Sequence, residues 1–288
     1  MIVTRFAPSP TGFLHLGHAY AALTAFGAAR KAGGRFLLRI EDIDVTRCRP
    51  EFERAIMEDL RWLGLDWEEP VRRQSEHFAD YAAALKRLEA KGLLYPCFCT
   101  RKDIADEIAR AGVAPRASEL SPEGPLYPGT CRALTPSVRA RRIAEGTAYA
   151  LRLDVAKAKA LLGHELTFEE QGRGPNGETG TQIARPELLG DVVLGRKELP
   201  ASYHLAVAVD DALQGVTLVT RGNDLFPATP IQLLLQALLD FPAPAYAHHR
   251  LILDAKGRKF SKRDRAATLR ASRQSGATPA DVRAMVGV

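Results

Sequence analysis

Two histidines, His15 and His18, stand three residues apart in RFAPSPTGFLHLGHAYAAL, where an apolar run ends in a Pro/Gly turn and helical spacing begins. Residues i and i+3 share a helix face, and the first-turn N–H groups lack intrahelical partners, so both imidazoles sit beside a natural seat for an anion. Ring N–H groups placed there can donate to a phosphate whose charge grows in a transition state. The plainer reading makes His15 a helix cap and His18 a core residue. Late in the chain, GRKFSKRDRA carries Lys259, Ser261, Lys262 and Arg263. A lysine in such a loop is a mobile point charge for phosphates, although a solvated basic loop has the same composition. The third group is sulfur: Cys97 and Cys99 flank Phe98, and Cys131 closes YPGTC. C-x-C spacing with a distant third cysteine suits tetrahedral zinc with a fourth ligand that is not a cysteine. It lacks the C-x-x-C spacing of thiol oxidoreductases. Cys48, far off in sequence, reads as core.

The elements that must hold these residues alternate. Residues 2–6 read as a strand, 14–30 as a helix, 35–40 as a strand ending on Glu41, Asp42 and Asp44, and 51–63 as an amphipathic helix. Helical spacing returns over 77–91. YPCFCT then opens a stretch that reads as irregular to about residue 132, with YALRL and LTFEE as antiparallel strands beside the Gly-rich loop GRGPNGETG. Past residue 190 the alternation resumes with DVVLG, a helical SYHLAVAVDDAL, a strand VTLVTRG, a helix over 229–239 and a strand RLILD from residue 250. This pattern predicts an open parallel sheet in two halves, 1–95 and 191–265, separated by an insertion over 96–190 and followed by a short helical segment, 266–288.

Composition bounds the function classes. With 46% hydrophobic and 26% charged residues the chain of 288 has the make-up of a globular protein and not of a disordered one. Forty lysines and arginines against 34 acids, a net charge of +6, favour a polyanionic partner. No window approaches the ~18 apolar residues of a membrane span, and the N-terminus lacks a signal-like pattern. A cytoplasmic protein is expected. Four cysteines are too few and too unevenly placed for a disulfide framework.

In this order, HLGH at 15–18 and KFSKR at 259–263 resemble the two signatures of the class I aminoacyl-tRNA synthetases. RFAPSPTGFLHLGHA, LLRIEDIDVTR, YHLAVAVDD and VTRGNDL narrow the resemblance to the glutamate-activating branch. It implies an α/β fold, a Rossmann-type parallel sheet with an inserted, zinc-containing subdomain like the one that binds acceptor ends. It also implies attack of an amino-acid carboxylate on the α-phosphate of ATP, with Mg²⁺ accompanying the ATP. By resemblance His15, Gly17, His18, Lys259, Ser261 and Lys262 bind ATP, and His15, His18 and Lys262 stabilise the transition state. Arg5, Ala7, Ser9, Glu41, Tyr203 and Arg221 bind L-glutamate: Arg5 and Tyr203 take its side-chain carboxylate, Arg221 its α-carboxylate and Glu41 its ammonium. Val207 departs from the ordinary glutamyl enzyme, which carries an amide there. Losing one hydrogen bond to substrate costs about 0.5 to 3 kcal/mol, which implies weaker binding of free glutamate. In the short synthetases of this branch the fourth zinc ligand is a tyrosine, and Tyr127 stands at the matching place beside Cys97, Cys99 and Cys131. His77 or a water are the alternatives.

Full glutamyl enzymes continue past their lysine loop into a helical body that reads the anticodon. Here DRAATLRASRQSGATPADVRAMVGV follows, with Thr278 and Pro279 opening a last short helix. A compact chain of this length is roughly 50 Å across, too small to touch both ends of an L-shaped tRNA. In length and in its cysteine pattern the chain resembles the short enzymes of this branch, and that resemblance implies an enzyme, expected to be monomeric and away from membranes, that activates glutamate without tRNA and transfers it to queuosine on the anticodon arm of tRNA(Asp). Two alternatives share the motifs: an enzyme charging a tRNA 3′ end, and a catalytically silent RNA-binding paralogue. A small-molecule nucleotidyltransferase shares the H-x-G-H turn but does not account for Arg5, Glu41, Tyr203 and Arg221 together.

Overall fold

A computed structural model describes residues 1–110, 120–121, 124–196, 201–253, 257 and 268–288. The first half holds β1 (Val3–Phe6), α1 (Leu16–Lys31), β2 (Arg35–Ile40), α2 (Pro50–Trp62), β3 (Glu68–Arg73) and α3 (Phe78–Ala90). The middle holds β4 (Leu94–Cys97), α4 (Arg101–Arg110), the two-residue pair β5 (Leu120–Ser121) and β6 (Gly124–Pro125), α5 (Pro136–Ala144), β7 (Ala150–Leu153), α6 (Val155–Leu162), β8 (Thr167–Glu170) and β9 (Gly180–Ile183). Then come β10 (Val193–Arg196), α7 (Tyr203–Leu213), β11 (Leu218–Gly222), α8 (Thr229–Leu238), β12 (Ala245–His249), α9 (Leu269–Gln274) and α10 (Pro279–Val286).

Strands β1, β2 and β3 run parallel in that order, and a second sheet orders as β11-β12-β8-β9, parallel except for β9. The two meet at β1 and β11, where the Thr217 N–H donates to Val3 O at 3.0 Å and the Val3 N–H to Thr217 Oγ1 at 2.9 Å. With β2 on one side of β1 and β11 on the other, the strand order reverses there. An open sheet binds ligands in the crevice beyond the carboxyl ends of its strands at such a point.

Packing explains why each helix lies where it does. Ala19, Ala22, Ala25 and Ala29 are buried on α1. Their small side chains let the helix approach the sheet closely enough for Thr4 Oγ1 to donate to Ala25 O at 2.8 Å. Helix α8 is apolar nearly all round and buried nearly all round, as a helix in a core must be. The last two helices seat on the first half. Thr268 bridges to His15, the Leu269 N–H donates to Leu14 O at 2.8 Å, and Leu269, Val282 and Val286 enter the core formed with α1 and α2.

Several sequence expectations change. The strand expected from residue 250 lies at β12, whose register is set by β11 from Leu218 and Ala245 onward. Its AYAHH pattern buries Tyr246 and His248 rather than aliphatic side chains, so apolar alternation did not mark it. YALRL and LTFEE are strands but not partners: β7 lies between β4 and β10, while β8 pairs with β9 and β12. Residues 167–183, read as insertion, thus hydrogen-bond into the second-half sheet. Helix α4 occupies part of the stretch read as irregular; its side chains over 101–107 are mostly exposed, so no apolar face signalled it.

Asp59 on α2 is fully buried with neither carboxylate oxygen hydrogen-bonded, and Arg273 of α9 lies 3.5 Å away. Burial outweighs Arg273 and pushes its carboxyl up to about 6, above the ~3.9 of an unfolded chain. The folded state then binds this proton more tightly. Its contribution to stability is present below pH ~4 and is lost as pH rises through about 6. Asp59→Asn should therefore stabilise the fold at pH 8 by about 1–3 kcal/mol, with the gain shrinking toward pH 4 in thermal melts. A gain independent of pH would show that ionisation is not the cost.

Candidate active site

At the crevice, a cleft of about 370 Å³ is lined by Ala7, Ser9, His15, Gly17 and His18 from the first half and by Gly222, Asp224 and His249 from the second. The APSPTG turn is held from behind: the Glu41 N–H donates to Pro8 O and the Arg49 N–H to Pro10 O, both at 3.0 Å. His15 is the N-cap of α1. Its Nδ1 accepts from the Gly17 N–H at 3.1 Å, and His18 Nδ1 accepts from the His15 N–H at 3.2 Å. A ring nitrogen that accepts carries no proton, so in the neutral rings Nε2 is the N–H of both histidines. The rings lie 3.8 Å apart, centroid to centroid. Capping, the plainer reading of His15, holds, and it does not compete with a phosphate role: the cap selects the tautomer that leaves donors at Nε2. A Cβ on Gly17 would press on the His15 ring at 3.1 Å.

Below the turn lies a buried charge network. Asp211 of α7 receives Arg5 Nε at 3.0 Å and Arg39 Nη1 at 2.8 Å. Its neighbour Asp210 accepts from Arg72 Nε at 2.7 Å, Gln74 Nε2 at 2.8 Å and the Tyr81 hydroxyl at 2.9 Å. Arg39 is fully buried and reaches Glu41 at 3.5 Å and Asp210 at 3.8 Å as well. Burial alone would favour the neutral acid at Asp211, but Arg5 and Arg39 hold its carboxyl below the ordinary range. Glu41 is the opposite case: burial raises its pKa in spite of Arg39 and Arg5. An ammonium brought beside Glu41 would supply the missing counter-charge.

Arg221 on β11 is oriented differently from Arg5. Its Nε donates to His248 Nε2 at 3.0 Å, Nη1 to Gln232 Oε1 at 2.7 Å and Nη2 to Thr229 Oγ1 at 2.7 Å. A guanidinium has five N–H groups, so one on each terminal nitrogen remains beyond these partners, a pair matched to one planar carboxylate. Where Arg5 is neutralised by Asp211, the hydrogen-bond acceptors around Arg221 are all neutral groups. Tyr203 opens α7, burial raises its hydroxyl's pKa, and it lies in the joint field of Arg221, Glu41 and Arg5. Tyr203, Val207 and Asp211 recur at four-residue steps, so they share one face of α7. The buried Val207 therefore sits between a hydroxyl and the carboxylate that clamps Arg5. Ser9 Oγ is 4.0 Å from Cys48 Sγ, which places that cysteine beside the turn.

The sulfur cluster lies away from this cleft. The Sγ atoms of Cys97, Cys99 and Cys131 all fall within 4.8 Å of one another, and the Tyr127 hydroxyl is 3.4 Å from Cys97 Sγ and 3.6 Å from Cys99 Sγ. Tetrahedral zinc–thiolate bonds of about 2.3 Å set ligands roughly 3.8 Å apart, so the four groups fit a single ion. Burial pushes the Cys99 thiol up to about 12, whereas hydrogen bonds from Tyr127 and the Phe98 N–H overcome burial and lower that of Cys131. A cation between them would hold all three as thiolates. His77, the alternative fourth ligand, is turned to Asp80 at 3.5 Å instead.

A parallel sheet whose reversal point carries two capping histidines above buried arginines is the catalytic architecture of a class I synthetase. Residues 1–286 match the family described as tRNA synthetases class I (E and Q), catalytic domain, and the chain belongs to that family. The glutamyl-Q tRNA(Asp) synthetase of Rhodobacter capsulatus is 49% identical over 292 residues, covering 100% of both chains. The glutamate–tRNA ligase of Aquifex aeolicus is 39% identical over 96% of this chain and 55% of its own length. Among solved structures, a glutamate tRNA ligase from Elizabethkingia meningosepticum in complex with its amino acid superposes with a TM-score of 0.72 at 29% identity, over 96% of this chain and 53% of that one.

Of the residues singled out from sequence, the structure lines the cleft with Ala7, Ser9, His15, Gly17 and His18 and brings Arg5, Glu41, Tyr203 and Arg221 into one another's field. It gathers Cys97, Cys99, Tyr127 and Cys131 at the second site. Lys259, Ser261 and Lys262 lie outside the described residues. Sequence reading passed over Arg39, Asp210, Asp211, Glu170 and His248. The usable signal was a charge inside an apolar run, as in RFLLRI and AVAVDDAL, because a buried charge requires a partner. Asp211→Asn should leave Arg5 and Arg39 undercompensated and cost about 3–5 kcal/mol in denaturant unfolding. A loss below about 1 kcal/mol would place the network at the surface.

Proposed function

We propose that the protein activates L-glutamate with ATP in the absence of tRNA and transfers it to the queuosine base in the anticodon loop of tRNA(Asp). The observation that carries this reading is the end-to-end likeness, at 49% identity, to a protein named glutamyl-Q tRNA(Asp) synthetase, on a site able to hold a zwitterion with a second carboxylate. The glutamate α-carboxylate oxygen attacks the α-phosphorus, the bond to the bridging oxygen breaks, and pyrophosphate leaves. A hydroxyl of the queuosine base then attacks the carbonyl of the adenylate and AMP leaves.

Each step is assigned to particular groups. The paired N–H groups of Arg221 take the α-carboxylate, Glu41 the ammonium, and Arg5 with Tyr203 the side-chain carboxylate, while Ala7 and Ser9 line the turn. His15 and His18 present Nε2–H donors to the phosphates beside Gly17. Lys262, with Lys259 and Ser261, supplies the positive charge that stabilises the pentavalent phosphorus. Mg²⁺ bound with the ATP would neutralise part of its phosphate charge. Cys97, Cys99, Cys131 and Tyr127 would hold one structural zinc, which would tie the end of β4 to the YPGTC turn within the 96–190 segment assigned to RNA binding. The protein acts as a cytoplasmic monomer, and backbone phosphates supply most of the RNA affinity. Among the described residues no helix is long and apolar enough to cross a membrane.

Glutamate-dependent ATP–pyrophosphate exchange should proceed without tRNA, and labelled glutamate should pass to queuosine-containing tRNA(Asp) but not to tRNA(Asp) lacking the modification. Transfer to tRNA(Glu) instead would overturn the assignment. Lys262→Ala should lower the exchange kcat by about 10²–10³-fold with little effect on the glutamate KM; a change confined to KM would remove the lysine from the transition state. Purified protein should carry one zinc per chain by elemental analysis. Cys131→Ser should release it and lower Tm, and Tyr127→Phe should weaken retention against a chelator. Full retention in both variants would show that the ion is held elsewhere.

A further inference from the structure

Arg221 does not hold its orientation unaided. Its Nε–H meets the Nε2 atom of His248 at 3.0 Å, and the other face of that imidazole meets Glu170: His248 Nδ1 lies 2.5 Å from Glu170 Oε2, and the His248 backbone N–H donates to Glu170 Oε1 at 2.8 Å. Glu170 also accepts from the Gly172 N–H at 2.8 Å. Glu170, His248 and Arg221 are all buried, and come from β8, β12 and β11.

We infer that His248 is a positioning residue for glutamate binding: Glu170 fixes its tautomer, and its unprotonated Nε2 aims the Arg221 guanidinium at the substrate carboxylate. The inference rests on the assignment of Arg221 to that carboxylate. Glu170 is held in its ionised form by its N–H donors and by His248, against its burial, so it has no proton to give and the hydrogen lies on Nδ1. A guanidinium can only donate, so Nε2 must offer its lone pair. Both neighbours therefore demand the same tautomer. Burial holds the imidazole pKa below its ordinary value, and Arg221 adds to that effect, in spite of Glu170. The ring is also fixed in rotation, stacked at 5° against Tyr246 and edge-on to Phe226 with centroids 4.9 Å apart.

The chain Glu170–His248–Arg221 does something a direct ion pair would not. Asp211 clamps Arg5 and cancels its charge. A neutral imidazole between Glu170 and Arg221 fixes the angle of the guanidinium and keeps the carboxylate one ring away, so the positive charge remains for a ligand. Backbone packing supports the arrangement: a Cβ at Gly172 would fall 2.3 Å from His248 O, so the turn after β8 must approach β12 without a side chain.

The test uses ATP–pyrophosphate exchange with the full chain. His248→Phe keeps a ring in the stack and removes both nitrogens; it should raise the glutamate KM about tenfold or more, with kcat and the ATP KM held within about twofold. His248→Gln, whose amide oxygen can accept from Arg221 Nε, should recover most of that loss. Arg221→Lys is the control for the underlying assignment. If it leaves the glutamate KM unchanged, that assignment and the inference fall together. If it raises the KM while a folded His248→Phe chain does not, the inference alone falls. A lower kcat together with an equal rise in both KM values in the Phe and Gln variants would make His248 merely structural and also overturn it. Should His248→Phe not fold by circular dichroism, ¹⁵N spectra of the histidine-labelled wild type decide: an Nδ1–H tautomer at His248 supports the inference, and an Nε2–H tautomer overturns it.

Discussion

Asp211, wedged between the guanidiniums of Arg5 and Arg39, is the constraint on which the rest of the structure depends. A carboxylate stripped of water is costly unless its oxygens are met by charged donors, and here the donors come from β1 and β2 while the acid comes from α7. The pairing therefore joins the first half of the sheet to a helix some two hundred residues later. Asp210 repeats the arrangement with Arg72, Gln74 and Tyr81, drawing in β3 and α3. Both acids enter from consecutive positions on one helix. A shift of α7 would therefore uncover several charges at once, and the residues around the crevice stay in register.

That network also sets what a ligand meets. Arg5 arrives already paired, so it can offer hydrogen bonds but little net charge. Arg221 keeps its charge because its acceptors are neutral, and Glu41 is undercompensated because its arginine is shared with Asp210 and Asp211. The two unbalanced groups have opposite sign, as an amino-acid zwitterion does. Above them, the N-cap of α1 fixes His15 and His18 as Nε2–H tautomers along the cleft. The same rule, that a partner's hydrogen bonding selects the tautomer, operates in the opposite sense at His248.

Much of the candidate site was legible because its motifs are local. HLGH sits where a strand, a Pro/Gly turn and a helix start follow one another, and turn chemistry makes that junction visible in one dimension. The Cys-Phe-Cys pair and YPGTC were legible as a metal site from spacing, with Tyr127 suggested only by resemblance. Helix α4 and strand β12 were not legible, since one is solvated on most faces and the other buries a tyrosine and a histidine, and neither produces an apolar period. The pairing of β8 with β12 was hidden too, because Tyr246 and Glu170 meet across a large sequence gap.

The sequence by itself determined the family and picked out candidate groups for phosphate, glutamate and metal, because these chemistries demand particular side chains at short spacings. Only the tertiary structure decided how each group is tuned. Whether an arginine is neutralised or left charged, which nitrogen of a histidine bears the proton, and whether a carboxyl is raised or lowered depend on neighbours brought in by distant strands. Burial then amplifies each of those contacts, because without water to screen them a single hydrogen bond or counter-charge sets the state of the group.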